Sequence, residues 1–211
     1  MNKIKRYILI FTSLVLFATT YLSSHSLKIK RWALKIGKNK SKTIRIKQKK
    51  FYLDCSNFVR AVYYGSIGLD LFKQSNQHGI YQKLKKSKIF TRSIGVASLY
   101  VLFKLKYKIV NEPKIGDIIF FDNTYDRNRN KKWDDLLTHA GIVIDIAPDK
   151  TITFIHAGTS KHIKIDFMNL KKKKTYKKDK KIINSFLQRR YYWSGKSKLT
   201  GQLFRCFGRI K

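Results

Sequence analysis

Acidic residues are scarce in this chain. Twelve Asp and Glu stand against 47 Lys and Arg in 211 residues, for a formal net charge of +35 at pH 7. A coding bias toward Lys, Ile and Asn raises lysine but does not remove acids. A surface this basic attracts polyanions. Cysteine is as scarce: only Cys55 and Cys206 are present, so at most one disulfide is available. No apolar run reaches the about 20 residues of a membrane-spanning helix; the longest, Ile8–Leu22, is broken by Thr12, Ser13, Thr19 and Thr20. No cysteine lies near the end of that run, which excludes a lipid-modified cysteine there. No Ala-x-Ala site follows it either, Ser24-His25-Ser26 being the nearest substitute. No RNA- or DNA-binding module is recognisable, which leaves an intracellular nucleic-acid binder as the lesser reading of the charge.

What is present starts with a basic segment (Lys3, Lys5, Arg6), the apolar run and small residues, which together read as an export signal or an N-terminal anchor over residues 1–27. Export places the mature chain at the cell envelope. There the basic surface meets anionic polymers or lipid, and nucleic acid is not the expected partner. Residues 28–50 are densely basic and read as a linker or leading helix, with the core beginning near Phe51 and one domain over residues 51–211. Hydrophobic residues make up 43% and aromatics 14%, enough for a globular body.

Leu53–Tyr64 reads as a helix that begins at a cysteine. Asp54 is a good N-cap, its carboxylate able to accept from first-turn amides. Phe58, Val59, Val62 and Tyr63 recur at helical spacing, and Cys55 shares their face. Gly65 is the expected stop. A thiol at the positive end of a helix dipole is expected to favour thiolate, the nucleophilic form; the bland reading is a small buried cysteine. A second amphipathic helix is expected over Ser93–Lys108. Strands follow at Ile118–Phe121, Ala140–Ile146, Thr151–His156 and His162–Phe167. Lys171–Lys181 reads as a solvated lysine-rich loop, and Ile182–Trp193 and Gly201–Ile210 as closing strands. Helices first and an antiparallel meander after them is an α+β plan.

His139 opens one strand and His156 closes the next. A symmetric hairpin about Ala147–Lys150 sets them directly opposite each other, on one face. With Cys55 packed against that face, a thiolate, an imidazole base (His139) and a residue fixing the base's tautomer (His156) form a nucleophilic triad. Two structural histidines, or a zinc site on the same three residues, are the alternatives.

Four segments resemble the NlpC/P60 cysteine peptidases, relatives of the CHAP amidases: Asp54-Cys55-Ser56-Asn57-Phe58-Val59, Gly116-Asp117-Ile118-Ile119-Phe120-Phe121, His139-Ala140-Gly141-Ile142-Val143 and Phe154-Ile155-His156-Ala157. The resemblance implies a papain-like fold, with N-terminal helices packed on an antiparallel sheet, and cell-wall hydrolysis. It also implies Cys55 as nucleophile, His139 as base, His156 as third residue, peptidoglycan stem peptide as substrate and no required cofactor. A monomer is expected. The chain departs from that family at Asn57, where glycine is usual and a side chain is expected to crowd the groove. It departs again in the long Asp122–Asp135 excursion. A weakly active envelope-binding protein on the same scaffold, or an acyltransferase of the same fold group, are the alternatives. Within the excursion, Asp126, Asn128, Asn130 and Asp134 stand at calcium-loop spacing, but Lys131 replaces the usual glycine and no acid closes the loop at Leu137. Calcium is therefore weighed against a polar turn beside the active site.

Overall fold

The computed structural model describes residues 24–87, 94–158, 162–188 and 198–210. The apolar run Ile8–Leu22 lies outside these residues, as do residues 189–193 of the expected strand Ile182–Trp193. Helix α1 occupies residues 24–37, and a hairpin of β1 (Thr43–Ile46) and β2 (Lys49–Tyr52) follows. Helices α2 (Cys55–Ile67), α3 (Leu71–Gln77), α4 (Ile80–Lys86) and α5 (Gly95–Lys106) come next. The rest is β3 (Lys108–Val110), β4 (Ile118–Phe121), β5 (His139–Ile146), β6 (Ile152–Ala157), β7 (Ile163–Met168), β8 (Lys177–Lys178), β9 (Lys181–Ile182), α6 (Thr200–Leu203) and β10 (Phe204–Arg209). Among the described residues no helix is long and apolar enough to cross a membrane.

Six strands form one sheet in the order β3-β10-β4-β5-β6-β7, every neighbouring pair antiparallel. Ile118, Phe120, Ala140, Ile142, Ile144 and Ile155 face the helices, in the core that also holds Phe58, Val62, Tyr63, Leu99 and Phe103. Ile119, Phe121, Val143, Phe154, Met168 and Phe207 form a second core on the other face. All four residues of β4 are fully buried because both faces are covered. The core also begins earlier than Phe51: Ile29, Ala33 and Ile36 of α1 and Ile46 of β1 belong to it.

The expected Asp54 cap is present; its carboxylate accepts from Asn57 N at 2.8 Å. The stop is Gly68, not Gly65. Gly68 has φ 71°, which L residues with a Cβ seldom adopt, and its N–H returns to the carbonyls of Tyr63 and Tyr64. Gly65 is instead a close approach: a Cβ there would lie 2.4 Å from the Trp32 ring of α1. The closing segment differs as well. Residues 200–203 are a helical turn ahead of β10, and β9 ends at Ile182.

The β5–β6 register decides how the histidines meet. Ile142 pairs with Ile155 and Val143 with Phe154; the pairing then shifts by one, with Asp145 opposite Thr153. A bulge at Ile144 absorbs the extra residue. Continued toward the open end, this register sets His156 opposite Gly141, so the histidines are diagonal neighbours on one face and not directly opposite. Gly141 makes room for this. A Cβ there would lie 3.0 Å from the Ile155 carbonyl oxygen and 3.1 Å from His156 Cβ. Gly141→Ala is expected to cost about 1–3 kcal/mol through overpacking, read as a lowered denaturant midpoint with an unchanged m-value. An unchanged midpoint would mean that this strand crossing is looser than described.

Candidate active site

Cys55, His139 and His156 all line one cleft of about 800 Å³, together with Asp54, Asn57, Arg60, Thr138 and Asp166. The helix places Cys55 at its first residue, half-buried. Alternation along β5 and β6 turns His139 and His156 to the sheet face away from α2, against Phe121 and Phe154. The sequence expectation of a helix packed on the histidine face is therefore corrected. Sulfur and imidazoles approach one another at the strand ends, where α2 begins. The backbone amides of Ala140, next in chain to His139, of Ser56 and of Cys55 itself lie close enough to the Cys55 sulfur to favour its anion. Among the described residues no hydrogen bond joins Cys55 to His139.

The two imidazoles are joined directly. His139 Nε2 lies 2.8 Å from His156 Nδ1, with the rings nearly perpendicular at 87°. Both residues are buried, with 7% and 2% of their surface exposed. His156 Nε2 continues the line to Asp166 Oδ2 on β7 at 2.9 Å. A carboxylate only accepts, so an ionised Asp166 holds the His156 proton on Nε2. His156 Nδ1 then accepts from His139 Nε2–H, which leaves the lone pair of His139 on Nδ1. One carboxylate thus sets the tautomer of two rings. This geometry does not assemble the zinc alternative: both His156 nitrogens are engaged, which leaves only the Cys55 sulfur and His139 Nδ1, and among the described residues no group of three side chains is placed to hold a metal. Asp166 was missed in the sequence. It is the only acid between Asp149 and Asp179, and that isolation within an expected strand was the available signal.

Burial disfavours charge on both Cys55 and His139. It pushes the Cys55 thiol up to about 12, with Asp54 adding to the rise and the three amides opposing it. It holds His139 well below the usual imidazole value, with His156 acting in the same sense. Burial thus works against the thiolate expected from the helix dipole alone, and against an imidazolium at His139. Cys206 is also a free thiol, pushed up to about 11 by burial, and no disulfide joins the two cysteines. Native protein at pH 7 is therefore expected to react with a thiol reagent at least about tenfold more slowly than free cysteine. The rate should climb steeply above pH 9, and unfolding should release two thiols. A fast single-thiol phase at neutral pH would show a preformed thiolate.

Asn57 does line the cleft, but its amide is held aside: Nδ2 donates to Asp54 Oδ2 at 2.9 Å and Oδ1 accepts from Arg60 Nη1 at 3.1 Å. Arg60, also unremarked in the sequence, is a buried guanidinium in the cleft wall, stacked 4.4 Å from the centre of the Phe72 ring. The Asp122–Asp135 excursion closes on itself. Asn123 N donates to the Asp135 carbonyl, and Asp135 N donates to Asn123 Oδ1. This sets Thr124 and Tyr125 into the cleft wall. Its calcium-spaced side chains are engaged with the loop itself. Asp134 faces the NH2 groups of Asn128 and Asn130, at 3.2 and 2.9 Å. Asp126 Oδ2, Asn128 Oδ1 and Asn130 Oδ1 each accept from a backbone N–H of the loop itself.

No curated protein and no solved structure matches the chain. The family model of the NlpC/P60 family does match, over residues 37–181, a span that holds Cys55, both histidines and Asp166. With most of its length matched, the chain belongs to the NlpC/P60 family, whose members are typically cysteine peptidases and amidases linked to peptidoglycan.

Proposed function

We propose that this protein is a cell-envelope hydrolase that cleaves an amide bond in the peptidoglycan stem peptide, with Cys55 as nucleophile and His139 as base. The observation that carries the reading is the hydrogen-bonded line from Asp166 through His156 to His139, in the cleft that Cys55 opens onto. As the sulfur attacks the amide carbon, its proton passes to His139 Nδ1, so neither group is charged before the reaction begins. The oxyanion forms beside the amides at the start of α2, of which the Cys55 amide is the first. His139 then protonates the leaving amine and a thioester remains. Water, deprotonated by His139, attacks the thioester carbon; the carboxylic acid leaves and the thiol is restored. His156 and Asp166 keep the lone pair of His139 on the reacting side. Arg60 supplies a cation in the wall suited to a carboxylate of the stem peptide.

The test is incubation of purified peptidoglycan with wild-type protein, the products being resolved by mass. New amino and carboxyl termini at one stem-peptide bond are expected. Release of sugar fragments with intact stem peptides, or no release at all, would overturn the assignment.

A further inference from the structure

Eight of the eleven residues 171–181 are lysines and one, Asp179, is acidic. All eight lysines are exposed. Runs of like charge usually stay disordered because the charges repel. This one is built into the fold. Asn169, 3% exposed, accepts from the amides of Lys171 and Lys172 through Oδ1, both at 3.1 Å. Asn184, fully buried, donates to the carbonyls of Lys172 and Thr175 at 2.9 and 2.8 Å. At Gly201 a Cβ would fall 2.8 Å from Lys173 Cα, so the loop lies tight on α6. Beyond it, β8 and β9 turn through Asp179 and Lys180, both at positive φ (49° and 62°), as a tight two-residue hairpin requires. Lys178 and Lys181 then stand directly opposite each other, a like-charge pairing that is unfavourable by itself. Asp149 offsets part of this: its carboxyl is held below the ordinary value by hydrogen bonds from Thr151 and, after them, by the charges of Lys181 and Lys178. Lys178 reaches Asp179 only at 3.9 Å, with both side chains open to solvent.

We propose that residues 171–181 form a docking platform for a linear phosphodiester polymer of the cell wall, leading it to the rim of the catalytic cleft. The choice of the wall as source rests on the hydrolase reading above. Neighbouring strand residues such as Lys177 and Lys178 project to opposite faces, so a flat bilayer meets only half of the charge, whereas a flexible chain can follow both faces. The path to the cleft is short. Tyr176, within the platform, packs its ring 4.8 Å from that of Phe186, and Phe186 lines the cleft.

The experiment compares binding of the full chain to wall with its phosphate polymers intact and to wall stripped of them. Two fourfold variants accompany it: Lys174, Lys177, Lys178 and Lys181→Gln in the platform, and Lys38, Lys40, Lys42 and Lys50→Gln elsewhere on the surface. The platform variant is expected to bind intact wall on the order of 100-fold more weakly near 0.1 M salt, with a log–log salt slope shallower by about three. The second variant should lose far less. Stripped wall should bind wild type as weakly as intact wall binds the platform variant, and both variants should cleave a short soluble stem peptide at the wild-type rate. Equal losses in the two variants, equal binding to stripped wall, or tighter binding to phosphatidylglycerol vesicles or to a single-stranded oligonucleotide of matched charge would overturn the proposal. Platform-dependent binding by a protein that cleaves no stem peptide would sink the hydrolase reading and leave the platform standing.

Discussion

Cys55→Ala is expected to lower kcat/KM on purified peptidoglycan by about 10⁴-fold or more, with little change in stability. The size of the effect follows from what else the cleft offers. Ser56, the adjacent hydroxyl, donates to Asp54 Oδ1 at 2.8 Å and is buried behind the cap. Thr138 accepts from Thr124 through the same oxygen that would have to attack. Neither can replace the sulfur. In the proposed mechanism thiol and imidazole act as a unit: the sulfur becomes nucleophilic only while His139 takes its proton. His139→Ala should therefore cost about as much as Cys55→Ala, and the double variant should be no worse than either single one. Fragment release resolved by mass gives the rates, and thermal unfolding reports on the fold. Retention of more than about 1% of activity in folded Cys55→Ala protein, far above what loss of a nucleophile leaves, would remove Cys55 from the mechanism.

The resting protonation state was the part of this site least visible in the sequence. The helix start, the Asp54 cap and the position of Cys55 in the first turn are local features, and local residues specify them. The largest effect at Cys55, burial, depends on what packs around that turn. The same division explains the histidines. Their shared face follows from the period of two, which the bulge at Ile144 leaves intact on the side toward the open end. Their exact register does not follow, because nothing in Val143-Ile144-Asp145 announces a bulge. Nor was the face chosen by α2 legible: Ile118–Phe121 is buried on both sides, so its sequence carries no alternation to say which side the helices cover. Lys171–Lys181 shows the opposite case. Its composition suggested a solvated break, and only the bonds of the flanking Asn169 and Asn184 and the close approach at Gly201 reveal that it is held in place.

Asp166→Asn and Asp166→Ala are expected to separate the two tasks of the carboxylate. Asparagine keeps an oxygen that can accept from His156 Nε2–H, so the tautomers survive, but the negative charge is lost. When His139 takes the thiol proton, as proposed, the resulting imidazolium lies buried against Phe121 and against His156, which is itself stacked on Phe154, and Asp166 is the carboxylate at the end of its hydrogen-bonded line. Without that charge the imidazolium is harder to form, and kcat should fall on the order of 10- to 100-fold. Alanine removes the acceptor as well, which frees His156 to take either tautomer; its loss should be larger, toward 10³-fold, within the range general-base catalysis supplies. In both variants the acid limb of the kcat/KM profile should move to lower pH. The sign follows from the charge: removing an anion lowers the affinity of His139 for its proton, so the base stays neutral further into acid even as it becomes less effective. KM should hardly change, because Asp166 acts through His156 on the reacting proton and not by holding substrate. His156→Gln offers the complementary check. Its Oε1 can accept from His139 Nε2–H, so it should retain more activity than His156→Ala. Equal activity in the two His156 variants, or an acid limb unmoved in both Asp166 variants, would reduce the line of three side chains to a structural feature of the sheet.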